Sequence, residues 1–363
     1  MSHNIFGNLL TFSTWGESHG EAIGCVVDGY PANIDIDISF IQSRLNLRRP
    51  GQSKFTTQRN EKDEVKILSG VFNGKSTGAP ISLIIYNTDQ RSKDYSNIKD
   101  KFRPGHADFT YFMKYKNFDY RGGGRSSARE TAMRVAAGAL AEILVNKITK
   151  SKIQVSSAVT QIGNIKTDTS KWNEKFINTN PFFAPNKNTI TEWENLILHH
   201  RKNGSSLGAI IEVRVKNPVV GIGEPIYQKL DSELSKAIMT INAVKGIEFG
   251  SGFNLVNLDG TNASDQMAVK NKKISFDTNH AGGILGGISS GQDIIFRYIV
   301  KPTSSVLSEK KTITNKLKNS KIKTIGRHDP CVGIRAVPVG IAMTYFVLAD
   351  LLLIKNSKLI KYF

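Results

Sequence analysis

Leu207-Gly208-Ala209-Ile210-Ile211-Glu212-Val213-Arg214-Val215-Lys216 puts Ile211, Val213 and Val215 on one side of an extended chain and Glu212, Arg214 and Lys216 on the other. Alternation with period two marks a strand with one buried and one half-exposed face, which is the habit of antiparallel sheets. A doubly wound parallel sheet would show continuous apolar runs and a G-x-G-x-x-G after a strand; this sequence has no such motif. The stretch therefore predicts antiparallel sheet in an α+β chain.

Outward from it, Ile23–Val27 and the alternation Ile34-Asp35-Ile36-Asp37-Ile38 predict a hairpin turning near Gly29-Tyr30-Pro31. Val65–Leu68, Ile81–Tyr86 and Asp293–Val300 also read as strands. Ser39 with Gln42 three residues on predicts a capping box and a helix that delivers Arg44, Arg48 and Arg49 before Pro50-Gly51. The clearest helix runs from about Ser127 to Ile148, Ala-rich, with Val135, Ala139, Leu140, Ile143 and Leu144 at three-to-four spacing. Further helices are expected at Thr191–Lys202, Pro225–Ile241 and Pro338–Ile354. Asn178–Asn188 is expected to be a loop, and the stretches 271–275 and 308–323 mobile basic connections. No repeat or long linker interrupts the chain, which is read as one domain over residues 1–363, its core in two pseudo-equivalent parts.

Forty-nine Lys+Arg against 31 Asp+Glu give a formal charge of +18, which invites a nucleic-acid reading. The two cations are distributed differently. Ten of 15 arginines fall in three short segments around 44–49, 103–134 and 327–335, while the 34 lysines are scattered. Arg binds phosphate or carboxylate through a planar fork, so clustered Arg points to a small polyanion rather than a nucleic acid. Cys25 and Cys331 form no C-x-x-C pair, so neither disulfide framework nor metal site is expected, and the chain is expected to be cytoplasmic. The uncharged run Ala336–Ala349 is too short for a membrane span and predicts a buried helix.

Several segments carry candidate chemistry. Gly70–Ser76 is one residue short of a phosphate-binding G-x-x-x-x-G-K-S loop, and Asn73-Gly74 predicts a hairpin turn instead. Gly16-Glu17-Ser18-His19-Gly20 is either a plain turn or a turn presenting an imidazole able to protonate a leaving group. Arg103-Pro104-Gly105-His106-Ala107-Asp108 repeats that vocabulary. Arg121-Gly122-Gly123-Gly124-Arg125-Ser126-Ser127-Ala128-Arg129-Glu130 runs into the long helix with Ser126 or Ser127 as N-cap, a promising anion site. His280–Gly291 carries five glycines, which permit close approach of another backbone or of a flat ring. Lys301-Pro302-Thr303-Ser304-Ser305 offers a cation and three hydroxyls, and Gly326-Arg327-His328-Asp329-Pro330 a rigid polar turn.

The six segments from Gly16–Gly20 to Gly326–Pro330, leaving Gly70–Ser76 aside, in chain order and with Thr56-Thr57-Gln58-Arg59 and Ile241–Gly246 between them, resemble chorismate synthases over nearly the whole chain. The resemblance implies a β-α-β sandwich of antiparallel sheets around helices and, usually, a homotetramer. It implies a carbon–oxygen lyase using reduced FMN to eliminate phosphate from 5-enolpyruvylshikimate 3-phosphate, the last step of the shikimate pathway. His19 would then act as general acid on the leaving phosphate, His106 would govern flavin protonation, and Asp329 would serve in removal of the ring proton. Ser18, Arg48, Arg49, Arg103, Arg129, Arg327 and Arg335 would bind the substrate. Arg125, Ser126, Ser127, Asn242, Ala243, Gly286, Lys301, Pro302, Thr303, Ser304, Ser305 and Arg327 would contact FMN, with the flavin phosphate expected at Arg125, Ser126 and Ser127 or across a subunit contact. Lys54 and Phe55 stand where many relatives have Arg and Tyr, so an NADP contact through Arg48 and Lys54 would lack the bidentate fork. With no added reductase domain, reduction is expected from an external flavin reductase or reductant; no metal, nucleic acid or membrane is implied.

Overall fold

The structure, a computed structural model, describes residues 4–49, 62–88, 99–117, 119–323 and 329–358. The first half contributes strands β1 (Ile5–Gly7), β2 (Thr11–Gly16), β3 (Ala22–Asp28), β4 (Lys66–Ser69), β5 (Val71–Phe72), β6 (Lys75–Ser76) and β7 (Ile81–Tyr86). The second contributes β8 (Gln154–Ile162), β9 (Ile165–Lys166), β10 (Ala209–Lys216), β11 (Val244–Phe249), β12 (Met267–Lys270), β13 (Lys273–Phe276), β14 (Ile284–Leu285), β15 (Ile288–Ser289), β16 (Ile294–Val300), β17 (Lys310–Ile313) and β18 (Asn319–Ile322). The helices are α1 (Ile38–Arg48), α2 (Asp108–Tyr115), α3 (Thr131–Thr149), α4 (Glu174–Ile177), α5 (Ile190–Lys202), α6 (Leu230–Met239), α7 (Gly260–Ala263) and α8 (Gly333–Ser357).

Two five-stranded antiparallel sheets, β1-β2-β3-β7-β4 and β11-β16-β10-β8-β9, enclose a helical layer. The strand Ala209–Lys216 is the middle of the second sheet, and Val213, paired with Phe296 and Ser157, faces the core as its alternation requires. Glu212, on the other face, is also buried because Arg214 folds over it at 2.7 Å. Helix α3 packs against α8, α1 and the first sheet, and α8 against the second. A helix apolar on all sides has no face to give to water. Accordingly Leu140 and Leu144 are wholly buried, each contributing about 2–3 kcal/mol. Gly138 lets the two long helices touch: a Cβ there would lie 2.4 Å from that of Ala342.

The fold is α+β with antiparallel sheets, as expected, but several boundaries move. Ile23–Val27 makes its hairpin with the preceding strand β2, through residues 17–21, because Asp37 is not a strand residue. Its carboxylate accepts from Ser39 N and Oγ at 2.8 and 2.6 Å and caps α1, so the box of Ser39 and Gln42 does not form. The long helix starts at Thr131, since residues 124–130 form two tight 3₁₀ turns and Ser127 caps the second of these. Pro225 lies in a turn closed by Glu224 N donating to Gln228 O, and α6 begins only at Leu230. Pro338 falls inside α8, which starts at Gly333. At 25 residues α8 is long and apolar enough to cross a membrane, yet 89% of its apolar stretch is buried in the core. The two basic connections are hairpins, β12–β13 turning on Asn271 and Lys272 at φ +52° and +60°, and β17–β18. The Asn73-Gly74 turn forms as read.

Candidate active site

The β2–β3 turn presents Ser18 and His19, 2% and 4% exposed, with Ser18 Oγ 3.0 Å from His19 Nδ1. Backbone alone closes the imidazole from above. A Cβ on Gly122, whose φ is +58°, would stand 2.1 Å from His19 Cε1 and 2.9 Å from Ser18 Oγ.

Beside Gly123 lies Arg103, whose Nε and NH2 donate to Asp108 at 2.8 and 2.7 Å while its own N–H donates to the same carboxylate at 3.0 Å. Burial would raise the Asp108 carboxyl, but the Arg103 hydrogen bonds and charge hold it below the usual carboxylate range. The β17–β18 hairpin braces this loop, with Phe102 N donating to Ile313 O at 3.2 Å and Thr312 Oγ1 donating to Phe102 O. His106 Nε2 meets Ser305 Oγ at 2.8 Å. Lys301 Nζ and Ser304 Oγ both donate to Gly105 O, at 2.8 and 3.1 Å, and Lys301 N donates to Ala243 O at 2.9 Å. Ala243 holds the left-handed region at φ +68°, and Asn242 Nδ2 donates to Ser126 O at 2.8 Å. Thus the Arg103, Lys301 and Asn242 segments, distant in sequence, form one wall.

A second group of arginines gathers at the C-terminus of α1. Asp63, its side chain fully buried, accepts from Arg48 NH2 at 2.9 Å and from Arg129 NH1, while Arg48 NH1 also donates to Ala128 O and Thr131 Oγ1. Burial favours the neutral acid, yet the two guanidiniums outweigh it and keep Asp63 ionised. Burial, with Arg335 and Arg129 nearby, pushes Arg48 down to about 10. Arg335 donates to Asp329 at 2.9 Å and to Arg48 O at 3.3 Å. Three guanidiniums thus share two carboxylates. A small pocket lined by Arg48, Thr131, Asn242, Arg335 and Val339 joins this cradle to the first wall. The cradle also reaches the histidine turn, since Arg129 Nε donates to Asn87 Oδ1 at 2.9 Å and Asn87 Nδ2 donates to Glu17 O and Gly20 O.

Of the residues singled out from sequence, Ser18, His19, Arg48, Arg103, His106, Arg129, Arg335, Asp329, Ser126, Asn242, Ala243, Lys301, Ser304 and Ser305 belong to this network. Arg49 follows as the half-buried C-cap of α1. Thr303 O accepts from Ser206 Oγ, and Pro302 packs over Gly208. Arg327 and Lys54, with Phe55 and His328, lie outside the described residues. Three readings change. Arg125 turns toward β2, donating to Thr14 O and Oγ1 and Gly16 O at 2.8–3.2 Å, and so braces a strand. The N-terminus of α3 carries on from a 3₁₀ turn, with Thr131 N donating to Ala128 O and Arg129 O, and it already has an anion beside it, Glu130, which accepts from Thr14 and Arg134 at 2.8 Å. Gly286 sits in the β14–β15 turn, next to the start of α6, whereas Asn242 follows the end of that helix, roughly 15 Å away by helix rise.

Asp63 and Asn87 were missed. Asp63 hides in the charged run Lys62-Asp63-Glu64, and Asn87 looks like the polar stop of a strand; only the local chain direction at Asp63, φ +49°, sets it apart.

A family profile described as Chorismate synthase matches residues 10–353. Chorismate synthases of Pelagibacter ubique and Gluconacetobacter diazotrophicus are 61% and 54% identical, the first covering 99% of both chains and the second 96% of this chain and 97% of the relative. A crystal structure of a chorismate synthase superposes with a TM-score of 0.74 at 29% identity, covering 96% of this chain and 93% of the other. With the motifs assembled around one cluster of arginines and histidines, the chain belongs to the chorismate synthase family of enzymes.

Proposed function

We propose that the protein is a carbon–oxygen lyase converting 5-enolpyruvylshikimate 3-phosphate to chorismate and phosphate by anti-1,4-elimination with reduced FMN. The observation that carries this reading is the cradle in which, among the described residues, Arg48 and Arg129 meet on Asp63 and Arg335 on Asp329, tied through Asn87 to the turn bearing His19. A net positive, partly dry pocket suits a substrate with two carboxylates and a phosphate. Arg103, fixed by both oxygens of Asp108, extends that surface toward His19.

In the reaction the allylic C–O bond breaks with its electron pair leaving on phosphate, a ring proton is lost, and a new double bond forms. His19, shielded from water by Gly122 and aligned by Ser18, gives a proton to the departing phosphate. Asp329, held at Oδ2 by Arg335, is the carboxylate assigned to the proton lost from the ring. His106 holds a proton with Ser305 across its Nε2.

The residues fit a flavin. Asn242 Oδ1 is a buried acceptor without a partner among the described residues, suited to a ring N–H, and Ser126, Ser127, Lys301, Thr303, Ser304 and Ser305 supply hydroxyls and a cation for ribityl and phosphate groups. Reduced flavin, when bound, supplies an electron-rich ring that assists C–O cleavage. Because Gly286 lies at the far end of α6, its share of the flavin shell would come from a second copy, which favours the homotetramer. Arg48, 1% exposed and spent on Asp63, belongs to the substrate cradle rather than to an NADP contact with Lys54. The work is assigned to the cytoplasm with an external reductant.

Anaerobic assay with chemically reduced FMN tests the reading: chorismate and phosphate should appear in equal amounts. Flavin-saturated, folded protein that forms neither overturns it, and RNA binding that survives physiological salt would point to a nucleic-acid role instead.

A further inference from the structure

We propose that Asn87 is a positioning residue that keeps the His19 turn in register with the arginine cradle, an inference that rests on the reaction proposed above. Its amide makes three contacts whose sense is fixed by chemistry. Arg129 Nε can only donate, so the oxygen faces it at 2.9 Å; Glu17 O and Gly20 O can only accept, so the nitrogen faces them at 3.0 and 2.8 Å. Glu17 and Gly20 are the two ends of the segment carrying Ser18 and His19, and Gly20 N donates to Glu17 O across it. The Asn87 N–H also donates to Glu21 O at 2.9 Å, so the residue closes the turn from both backbone and side chain.

The base of this clamp is rigid. Asn87 directly follows β7, which is paired on both sides, with β3 and β4. Arg129 in turn is fixed on the far side by Asp63. An anion seated on Arg129 and the imidazole that must protonate it are therefore referred to one amide group. Displacing a catalytic group by about 1 Å can cost on the order of 10²-fold in rate.

The test separates the two ends of the clamp. Asn87→Asp keeps an acceptor for Arg129 but replaces the donor to Glu17 O and Gly20 O with a repelling oxygen, and Asn87→Ala removes both ends. For Asn87→Asp we expect kcat to fall roughly 10- to 100-fold with little change in KM, and its pH profile to shift as the His19 surroundings change. Asn87→Ala should raise KM as well. Histidine-selective ¹⁵N NMR of the flavin-free protein should show a His19 signal altered by Asn87→Asp at unchanged melting temperature. Wild-type kcat and His19 signals in Asn87→Asp overturn the proposal, as does loss of folded protein in both variants, which would make the amide a support of the fold. If the wild type forms no chorismate but the His19 signal still depends on Asn87, the reaction reading falls and the clamp stands.

Discussion

Around Asp63 the candidate site is held by charge, and around Ala243 and Gly105 by backbone. Arg48 and Arg129 converge on one buried carboxylate, and Arg335 is tied to Asp329. On the wall opposite, the contacts around these two residues are Lys301 N to Ala243 O, Lys301 Nζ and Ser304 Oγ to Gly105 O, and His106 to Ser305, with the Arg103–Asp108 ion pair behind them. Among the described residues the first arrangement brings three guanidiniums to two carboxylates, which suits an arriving anion. The second offers a rigid wall with polar groups at fixed places, which suits a flat ring. The difference teaches where each half is vulnerable: the cradle to loss of one partner and to pH, the wall to added atoms.

The largest effect should come from Asp63→Asn. Asn tolerates the left-handed backbone at this position, so the change tests charge alone. Leaving two buried guanidiniums without their carboxylate should cost about 3–5 kcal/mol in denaturant unfolding at fixed protein concentration. On the wall, Ser305→Ala removes a hydroxyl that pairs His106 and should cost only about 1 kcal/mol. Equal costs would show that the cradle carries no special electrostatic burden.

Gly122→Ala comes next and acts on chemistry. The new Cβ would collide with His19, so kcat should fall on the order of 10²-fold while unfolding stability drops by about 1–2 kcal/mol from the backbone conformation. Steady-state turnover beside urea titrations separates the two; a variant with normal kcat would remove His19 from the reaction.

The pH response sharpens the contrast. Asp63 and Asp108 have folded-state values held below their unfolded values, so the stability they provide is present above about pH 4 and lost as pH falls through the folded values. The penalty of Asp63→Asn should therefore shrink in unfolding titrations near pH 3 relative to pH 7. A pH-independent Asp63→Asn penalty would place the cost in packing.

The same division explains what could be read from the chain. Ile211, Val213 and Val215 declare a strand because a two-faced sheet fixes their period, and the Ala-rich run around Leu140 declares a buried helix. The helix starts slipped where local signals were overruled: Ser127 caps a 3₁₀ turn, Pro225 lies in a turn, and Pro338 is accepted inside α8. Within the site, His19, Arg103 and His106 were legible because glycine and proline flag the turns that hold them. Asp63 was not, because a carboxylate in a charged run looks solvated until Arg48 and Arg129, 81 residues apart in the chain, meet on it. Arg125 was legible as a cation but not as a brace, since its acceptors are carbonyls of a strand more than a hundred residues away.

The smallest effect is expected at Gly286. It shares φ +58° with Gly122, but among the described residues nothing beyond its two chain neighbours lies within 4 Å of where its Cβ would be. Gly286→Ala should therefore cost about 1 kcal/mol for the left-handed backbone, without displacing His19. At saturating reduced FMN its kcat should match the wild type, and only its FMN affinity should fall if a second copy presents this turn to the flavin. The two alanine variants impose the same dihedral demand, so the gap between their kcat values isolates contact with the imidazole. If Gly286→Ala slows turnover as much as Gly122→Ala at saturating flavin, backbone strain and not the closed space over His19 governs the reaction. The division between a charge-held cradle and a sterically held wall would then fail.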